Sequence, residues 1–140
     1  MNRFYEIFLG FDFGYKRIGL AVGQRVTFSA NPLPALQSIN GMPDWSSIEK
    51  VIGIWNPNAL ILGLPICTNN KEQPITVATR IFANQLKNRF LKSVYFIDER
   101  LSTVEARDKL FKIGGYRKII SSSIDSFSAC IFLEDWLRKY

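Results

Sequence analysis

Hydrophobic and polar positions along the chain alternate between strand-like and helix-like spacing. Short apolar runs bounded by glycine, proline or polar turns predict strands. Five strands are predicted, at Tyr5 to Phe13, Arg17 to Gly23, Val26 to Ala30, Ala59 to Leu64 and Val94 to Ile97. Tight turns join the first three, which predicts an antiparallel meander that ends at Asn31-Pro32. The last two runs are apolar enough for strands buried on both faces.

Apolar positions spaced three and four residues apart predict four helices between and after the later strands. They run from the Asp44 N-cap to Asn56-Pro57, from Pro74 to Leu86, from a Ser102–Glu105 capping box to Gly114-Gly115, and from Ser122 or Ser123 to about Arg138. Strand-helix-strand order requires parallel pairing through right-handed crossovers. The expected fold is therefore α/β, with a mixed five-stranded sheet (three antiparallel strands plus two parallel) flanked by helices in a single domain over residues 1–140.

The residue types that are present exclude several kinds of chemistry. Histidine is absent, which removes Ser-His-Asp and Cys-His nucleophiles and every histidine-based metal site. Cys67 and Cys130 stand far apart without a CxxC partner, so neither a disulfide framework nor a zinc site is indicated. Any catalysis must use carboxylates, lysines or hydroxyls.

Charge and hydropathy bear on the partner and the location. The net charge of +6 suits a polyanionic partner whose phosphates contact Lys and Arg, although a solvated basic surface explains the same charge. No apolar run approaches the roughly 20 residues that a membrane span needs. The first residues, Met1-Asn2-Arg3, pass directly into the first predicted strand. We therefore expect a soluble protein that is not exported. We also expect a monomer or a weak homodimer.

Acidic residues fall where the predicted strands end. Asp12 ends the first strand, Asp98 and Glu99 follow the last one, and Asp125 lies in the first turn of the final helix. Ligands of such sheets collect beyond the carboxyl ends of the central strands. Taken singly, each residue is better explained as an ordinary turn, strand-end or helix-start residue. Gathered together, they would repel one another unless they held cations.

Magnesium is the cation that such ligands fit best, with manganese as the alternative. Magnesium takes oxygen ligands, keeps several waters and is commonly shared with substrate phosphate. Two such ions about 4 Å apart would activate water and stabilise the leaving oxygen of a phosphodiester. Neighbouring strand residues point to opposite faces, so we expect only one of Asp98 and Glu99 to join Asp12 and Asp125.

Cations that would hold a nucleic-acid backbone lie in two parts of the sequence. Lys16 and Arg17 follow Asp12 in the first hairpin, where a solvated cation is also common. The segment Gly114-Gly-Tyr-Arg-Lys118 fits a loop that grips a backbone, and it fits equally a helix C-terminus with cations on its dipole. The predicted nucleic-acid contacts are Lys16, Arg17, Arg100, Arg117 and Lys118.

At these residues the sequence resembles the YqgF family of bacterial Holliday junction resolvases, also described as pre-16S rRNA nucleases. The matching segments, in the family's order across nearly the whole chain, are Gly10 to Gly19 with Ala21-Val22, Leu62 to Pro65, Asp98 to Thr103 with Glu105-Ala106, and Ile124 to Ser126. The stretch from Ile66 to Pro74 departs from the family in lacking glycine, which leaves the shape of that loop open.

The resemblance implies a ribonuclease H-like fold, a cytoplasmic location, a divalent metal and a nucleic-acid substrate. The acidic set that it implies is Asp12, Asp125 and either Glu99 or Asp98. It also implies processing of the 5′ end of precursor 16S rRNA, with resolution of branched DNA in recombination as the alternative.

Two other classes of protein remain as alternatives to the nuclease. The segment Asp12-Phe-Gly14 after a strand also resembles the phosphate-binding hairpin of actin-like and sugar-kinase ATPases, which need two such domains to enclose ATP. A non-catalytic RNA-binding factor in ribosome assembly would carry the same fold. The sequence favours metal-assisted hydrolysis of phosphodiester bonds.

Overall fold

The computed structural model describes residues 5–66, 69, 71–98 and 124–140, and only the backbone of residues 124 and 125. The strands are β1 (Ile7–Asp12), β2 (Arg17–Gln24), β3 (Ser29–Ile39), β4 (Met42–Pro43), β5 (Ala59–Leu64) and β6 (Ser93–Asp98). The helices are α1 (Trp45–Trp55), α2 (Pro74–Phe90) and α3 (Ile124–Lys139). The described strands form one sheet in the order β4-β3-β2-β1-β5-β6. Strand β1 pairs antiparallel with β2 and parallel with β5, which confirms the mixed α/β sheet and adds one short strand to it.

The third strand differs most from the prediction. It begins at Ser29 rather than Val26, and it does not end at Asn31-Pro32 but continues through Pro32 and Pro34 as far as Ile39. Strand β4 pairs only with Ser38 and Ile39, so the edge of β3 that carries the prolines has no β4 partner. Proline lacks the N–H that a central strand would have to donate, and an open edge tolerates that loss.

The signals that are local in sequence predicted the first helix correctly. Helix α1 begins after Asp44, whose carboxylate accepts hydrogen bonds from the hydroxyl (2.8 Å) and the backbone N–H (3.4 Å) of Ser47. Both bonds lower the pKa of Asp44 below its usual value, and the bond from the hydroxyl has the larger effect. Asn56 ends the helix in the left-handed conformation. None of the described helices combines the length and hydropathy that crossing a membrane requires.

Two later elements differ in extent or burial. Helix α2 reaches Phe90 rather than Leu86, and β6 is partly exposed rather than buried on both faces. Among the described strands β6 lies at the end of the sheet, with only β5 paired to it, which explains the exposure. The helix predicted from Ser102 and the cap predicted at Ser122 or Ser123 lie outside the described residues.

Helices cover both faces of the sheet. Helices α1 and α2 bury one face, where Phe11 and Leu62 of the sheet meet Phe82 of α2. Helix α3 buries the other face, where Phe8 packs with Leu133. The two cores follow from strand alternation, because residues one apart on β1 or β5 face opposite helices.

Helix α3 lies unusually close to the strands because glycine faces it. A Cβ atom added to Gly10 would lie 3.1 Å from the carbonyl oxygen of Ala129 and 3.1 Å from Cβ of Leu133. A Cβ atom added to Gly23 would lie 2.9 Å from Cδ2 of Leu133. The missing side chains therefore set the separation between α3 and the first two strands.

We expect Gly10→Ala to lower the free energy of unfolding by about 1–3 kcal/mol, because the new methyl group meets helix backbone that has no room to move. The measurement is urea unfolding followed by circular dichroism. Gly53→Ala in α1 is the matched control, since nothing lies within 4 Å of the added atom. It should raise stability by about 0.5–1 kcal/mol through helix propensity. The same effect for both substitutions would contradict close packing at Gly10.

Candidate active site

Asp12 is the last residue of β1 and lies on the sheet face that α3 covers. Phe8 packs in the α3 core, Gly10 touches α3, and Asp12 follows with the same two-residue alternation. Its side chain is half-buried. In the pairing with β2 it stands opposite Gly19. The first predicted carboxylate is therefore at the carboxyl end of a central strand, under the start of a helix.

Ser126 fixes the first turn of α3 to the same edge of the sheet. Its hydroxyl accepts a hydrogen bond from the Leu20 N–H (3.2 Å) and donates one to the Leu33 carbonyl (2.8 Å). The pairing of β2 with β3 shifts register between Ile18 and Leu20, and the serine supplies partners at that irregularity. Leu20 pairs with Phe11, the residue directly before Asp12.

The start of α3 therefore lies at the carboxyl end of β1. Further along α3, Leu133 and Leu137 approach Gly23, near the opposite end of β2. Residue 125, one position before Ser126, is the second residue of the helix and lies at the same edge and on the same face as Asp12. Entry of the Asp125 carboxylate into the site stays a prediction, because that side chain is outside the described part.

Asp98 ends β6 at the same edge of the sheet but on the other face. Val94 packs against the core under α1 and α2, and the guanidinium of Arg80 lies over the ring of Phe96 at 5.6 Å. Asp98 continues this alternation and is exposed. Ile97, which lies between Phe96 and Asp98, packs with the α3 core. The structure thus separates Asp98 from Asp12 by the thickness of the sheet, whereas Glu99 lies outside the described residues.

Two of the five predicted cations are described, and both lie in or directly after the turn that follows Asp12. Lys16 is in the turn between β1 and β2, Arg17 is the first residue of β2, and both are exposed. The turn is tight, because a Cβ atom on Gly14 would lie 2.6 Å from the carbonyl oxygen of Arg17. Arg100, Arg117 and Lys118 lie outside the described residues.

The donor chemistry at this edge fits a hard divalent cation. Within the described part of the chain no three His, Cys, Asp or Glu side chains cluster as metal ligands; that part omits Glu99 and the carboxylate of Asp125. Asp12 offers oxygen, and Cys130, the described thiol, is buried in the core under α3. Oxygen donors without thiolate or imidazole suit magnesium or manganese rather than zinc.

Comparison with known sequences gives extensive matches. Residues 6–139 match the family described as "RuvX: Holliday junction resolvase". A Legionella pneumophila (strain Paris) protein named "Putative pre-16S rRNA nuclease" is 56% identical over 133 residues, which cover 95% of this chain and 96% of that protein. A Klebsiella pneumoniae (strain ATCC 700721) protein of the same name is 52% identical over 132 residues, with coverages of 94% and 96%.

Solved structures of low sequence identity share the fold. RuvC of T. thermophilus in complex with Holliday junction substrate superimposes with a TM-score of 0.62 at 15% identity, covering 96% of this chain and 95% of that one. The fowlpox virus resolvase in complex with Holliday junction DNA gives a TM-score of 0.57 at 15% identity, with coverages of 94% and 98%. These likenesses confirm the predicted ribonuclease H-like fold.

Sequence reasoning gave no role to Ser126. The available signal was a hydroxyl side chain directly before the mostly apolar stretch from Phe127 to Leu133, where a buried alcohol needs hydrogen-bond partners. Those partners lie 106 and 93 residues earlier in the chain, at Leu20 and Leu33. Spacing within the helix therefore could not identify them.

Ser126→Ala should lower the free energy of unfolding by about 1–3 kcal/mol, because it leaves a buried N–H and a partly buried carbonyl without their partner. It should also slow substrate cleavage, since the first turn of α3 loses its attachment to the sheet. Chemical unfolding and single-turnover cleavage measure the two effects. Ser46→Ala, at an exposed position of α1, should change stability by less than about 0.5 kcal/mol. Indistinguishable unfolding of the two variants would show that the Ser126 hydroxyl does not hold α3.

Proposed function

The chain belongs to the RuvX family, a family of nucleases, and on that premise we propose that it processes the 5′ end of precursor 16S rRNA by metal-dependent hydrolysis. The observation that carries the proposal is that Asp12 and the first turn of α3 lie at the same edge and on the same face of the sheet. Relatives at 56% and 52% identity are named for the rRNA reaction, which favours RNA as the substrate. The family description favours cleavage of Holliday junctions as the second candidate function.

We propose Asp12, Asp125 and Glu99 as the residues that hold the divalent ions. Asp12 and the start of α3 share a face, and Asp98 lies on the opposite one. In an extended chain the residue after Asp98 returns to the α3 face, which supports Glu99 as the third ligand. When bound, magnesium or manganese would activate water and stabilise the leaving oxygen of the phosphodiester.

The cations beside Asp12 would position the substrate. Lys16 and Arg17 follow the carboxylate within one tight turn, so phosphates held by them lie next to the proposed metal ligands. Arg100, Arg117 and Lys118 are proposed as further backbone contacts. Phosphate contacts of this kind fix the register of a nucleic acid without reading its bases. Selection of the cleavage position must then come from other groups or from the shape of the substrate.

The remaining proposals concern the form and location of the protein. We propose that residues 1–140 form one nuclease domain. We also propose that the protein acts as a monomer or a weak homodimer in the cytoplasm, where it would encounter precursor rRNA. The match over residues 6–139 supports the single domain.

Asp12→Asn keeps the size of the side chain and removes its negative charge, so it should reduce magnesium-dependent cleavage by about a hundredfold or more. The assay offers precursor 16S rRNA and a four-way DNA junction side by side, with magnesium or with EDTA. Wild-type protein should cut the rRNA, and EDTA should stop it. Thermal unfolding and RNA binding of the variant should match wild type. Cleavage at the wild-type rate would remove Asp12 from the mechanism, and preferential cutting of the junction would favour the second candidate.

The paired variants Glu99→Gln and Asp98→Asn distinguish the third carboxylate. We expect Glu99→Gln to lose about as much activity as Asp12→Asn, because both would remove a ligand charge from the α3 face. Asp98→Asn should keep most of the wild-type rate, since Asp98 is exposed on the other face. Single-turnover rates at several magnesium concentrations provide the measurement. The reverse ranking would assign the ligand to Asp98 and contradict the argument from strand alternation.

A further inference from the structure

The hairpin between β3 and β4 carries two exposed apolar side chains. Ile39 is 74% exposed and Met42 is 70% exposed, and the two lie directly opposite each other across the hairpin. Asn40 and Gly41 between them have φ angles of 51° and 79°, as a two-residue type I′ turn requires. The apolar pair therefore stands at the tip of a short, regular turn rather than on an irregular loop.

The pair lies on the same sheet face as Asp12. Leu36 pairs with Ile18, and both pack with the core under α1 and α2. Ile39, three residues after Leu36, consequently lies on the opposite face, which is the α3 face. Arg17, directly before Ile18, lies on that face as well. Asp12 on β1, Arg17 on β2 and the apolar pair at the end of β3 therefore lie on the same face of neighbouring strands.

Backbone hydrogen bonds hold the hairpin against the turn that follows Asp12. The N–H of Gly41 donates to the carbonyl of Tyr15 (3.1 Å), and the N–H of Ser38 donates to the carbonyl of Lys16 (2.9 Å). The ring of Tyr15 also lies under the turn, since a Cβ atom on Gly41 would be 3.3 Å from its Cδ1 atom. Strand β3 is two strands from β1, a separation of about 10 Å at the usual spacing between strands.

Neither side chain contributes to the described cores, so packing within residues 5–66, 71–98 and 124–140 gives no reason for two large apolar groups at this tip. Apolar side chains such as isoleucine and methionine can wedge between neighbouring bases and unstack them, while cations contact the phosphates. Lys16 and Arg17 stand between the pair and Asp12 and supply those cations. The chemistry of this edge therefore matches a nucleotide strand that passes over it with a base turned toward the hairpin.

We propose that Ile39 and Met42 pack against an unpaired base next to the scissile phosphate, so that the hairpin selects the boundary between paired and single-stranded RNA. The proposal rests on the proposed nuclease function and adds the group that would choose the cleavage position. It assigns the phosphate contacts to Lys16 and Arg17 and the base contact to the hairpin tip.

The test is the double variant Ile39→Thr/Met42→Thr, because threonine keeps a high strand propensity while it removes most of the apolar surface. Binding is measured in EDTA by fluorescence anisotropy, with an RNA hairpin that has an unpaired 5′ extension and with a fully paired duplex of equal length. The double variant should bind the extended RNA about tenfold more weakly, which corresponds to 1.4 kcal/mol, and the duplex as wild type does.

Two control variants separate base contact from loss of structure. Ile54→Thr removes an isoleucine that is 75% exposed on α1, and it should leave both affinities unchanged. The conservative double variant Ile39→Val/Met42→Leu should retain the preference for the extended RNA. Thermal unfolding of the threonine variant should resemble that of wild type, since both side chains are exposed in the folded chain.

Equal affinity of the threonine variant and wild type for the extended RNA would overturn the proposal. So would a wild-type protein that binds both RNAs equally well. Because binding is measured without metal, absence of cleavage in magnesium would count against the proposed nuclease function alone. Intact cleavage together with unchanged RNA preference in the variant would count against the hairpin alone.

Discussion

Close packing of α3 against β1 and β2 is the contact on which the site depends. Carboxylates gathered at one edge repel each other by a few kcal/mol at short range, so they cannot assemble the site themselves. Each large apolar side chain buried between α3 and the sheet, such as Phe132 or Leu133 of the helix, stabilises the fold by about 1.5–3 kcal/mol. This packing offsets the repulsion. Gly10 and the hydroxyl of Ser126 then set where along the sheet the helix begins. The position of the proposed metal ligands thus depends on apolar packing and an uncharged hydroxyl, together with the Glu134 carboxylate of α3, which accepts a hydrogen bond from the Ala30 N–H.

The parts of the fold that the sequence predicted are those whose causes are local. Asp44 caps α1 through bonds to a residue three positions later, and Asn56 ends the same helix. The strand Ala59–Leu64 is apolar at every position because helices cover both of its faces, and its bounds were predicted without error. In each case the stabilising partner is a near neighbour in sequence or is implied by the hydrophobic pattern itself.

The parts that could not be predicted depend on partners that are distant in sequence. Pro32 signals the end of a strand unless one edge of that strand is known to be open, and only the sheet order reveals this. Ser126 bonds to backbone atoms of β2 and β3, which its own helix does not identify. For the candidate site, the sequence predicted the types of residue and the edge of the sheet at which they lie. The face on which Asp98 lies required the observed register of β5 with β6 and the contacts of Phe96.

The contacts proposed for the sheet edge that carries Asp12 are of two kinds, contacts with phosphates and a contact with a base. The proposed contacts from Lys16 and Arg17 to phosphates would release counterions, so their contribution to affinity would fall steeply as salt concentration rises. A contact between Ile39 or Met42 and a base buries apolar surface, which salt does not screen. On this proposal, raising the ionic strength should weaken binding to every nucleic acid and should leave the preference for unpaired bases in place. Discrimination between substrates at cellular salt would then depend mainly on the hairpin, and overall affinity mainly on the cations beside Asp12.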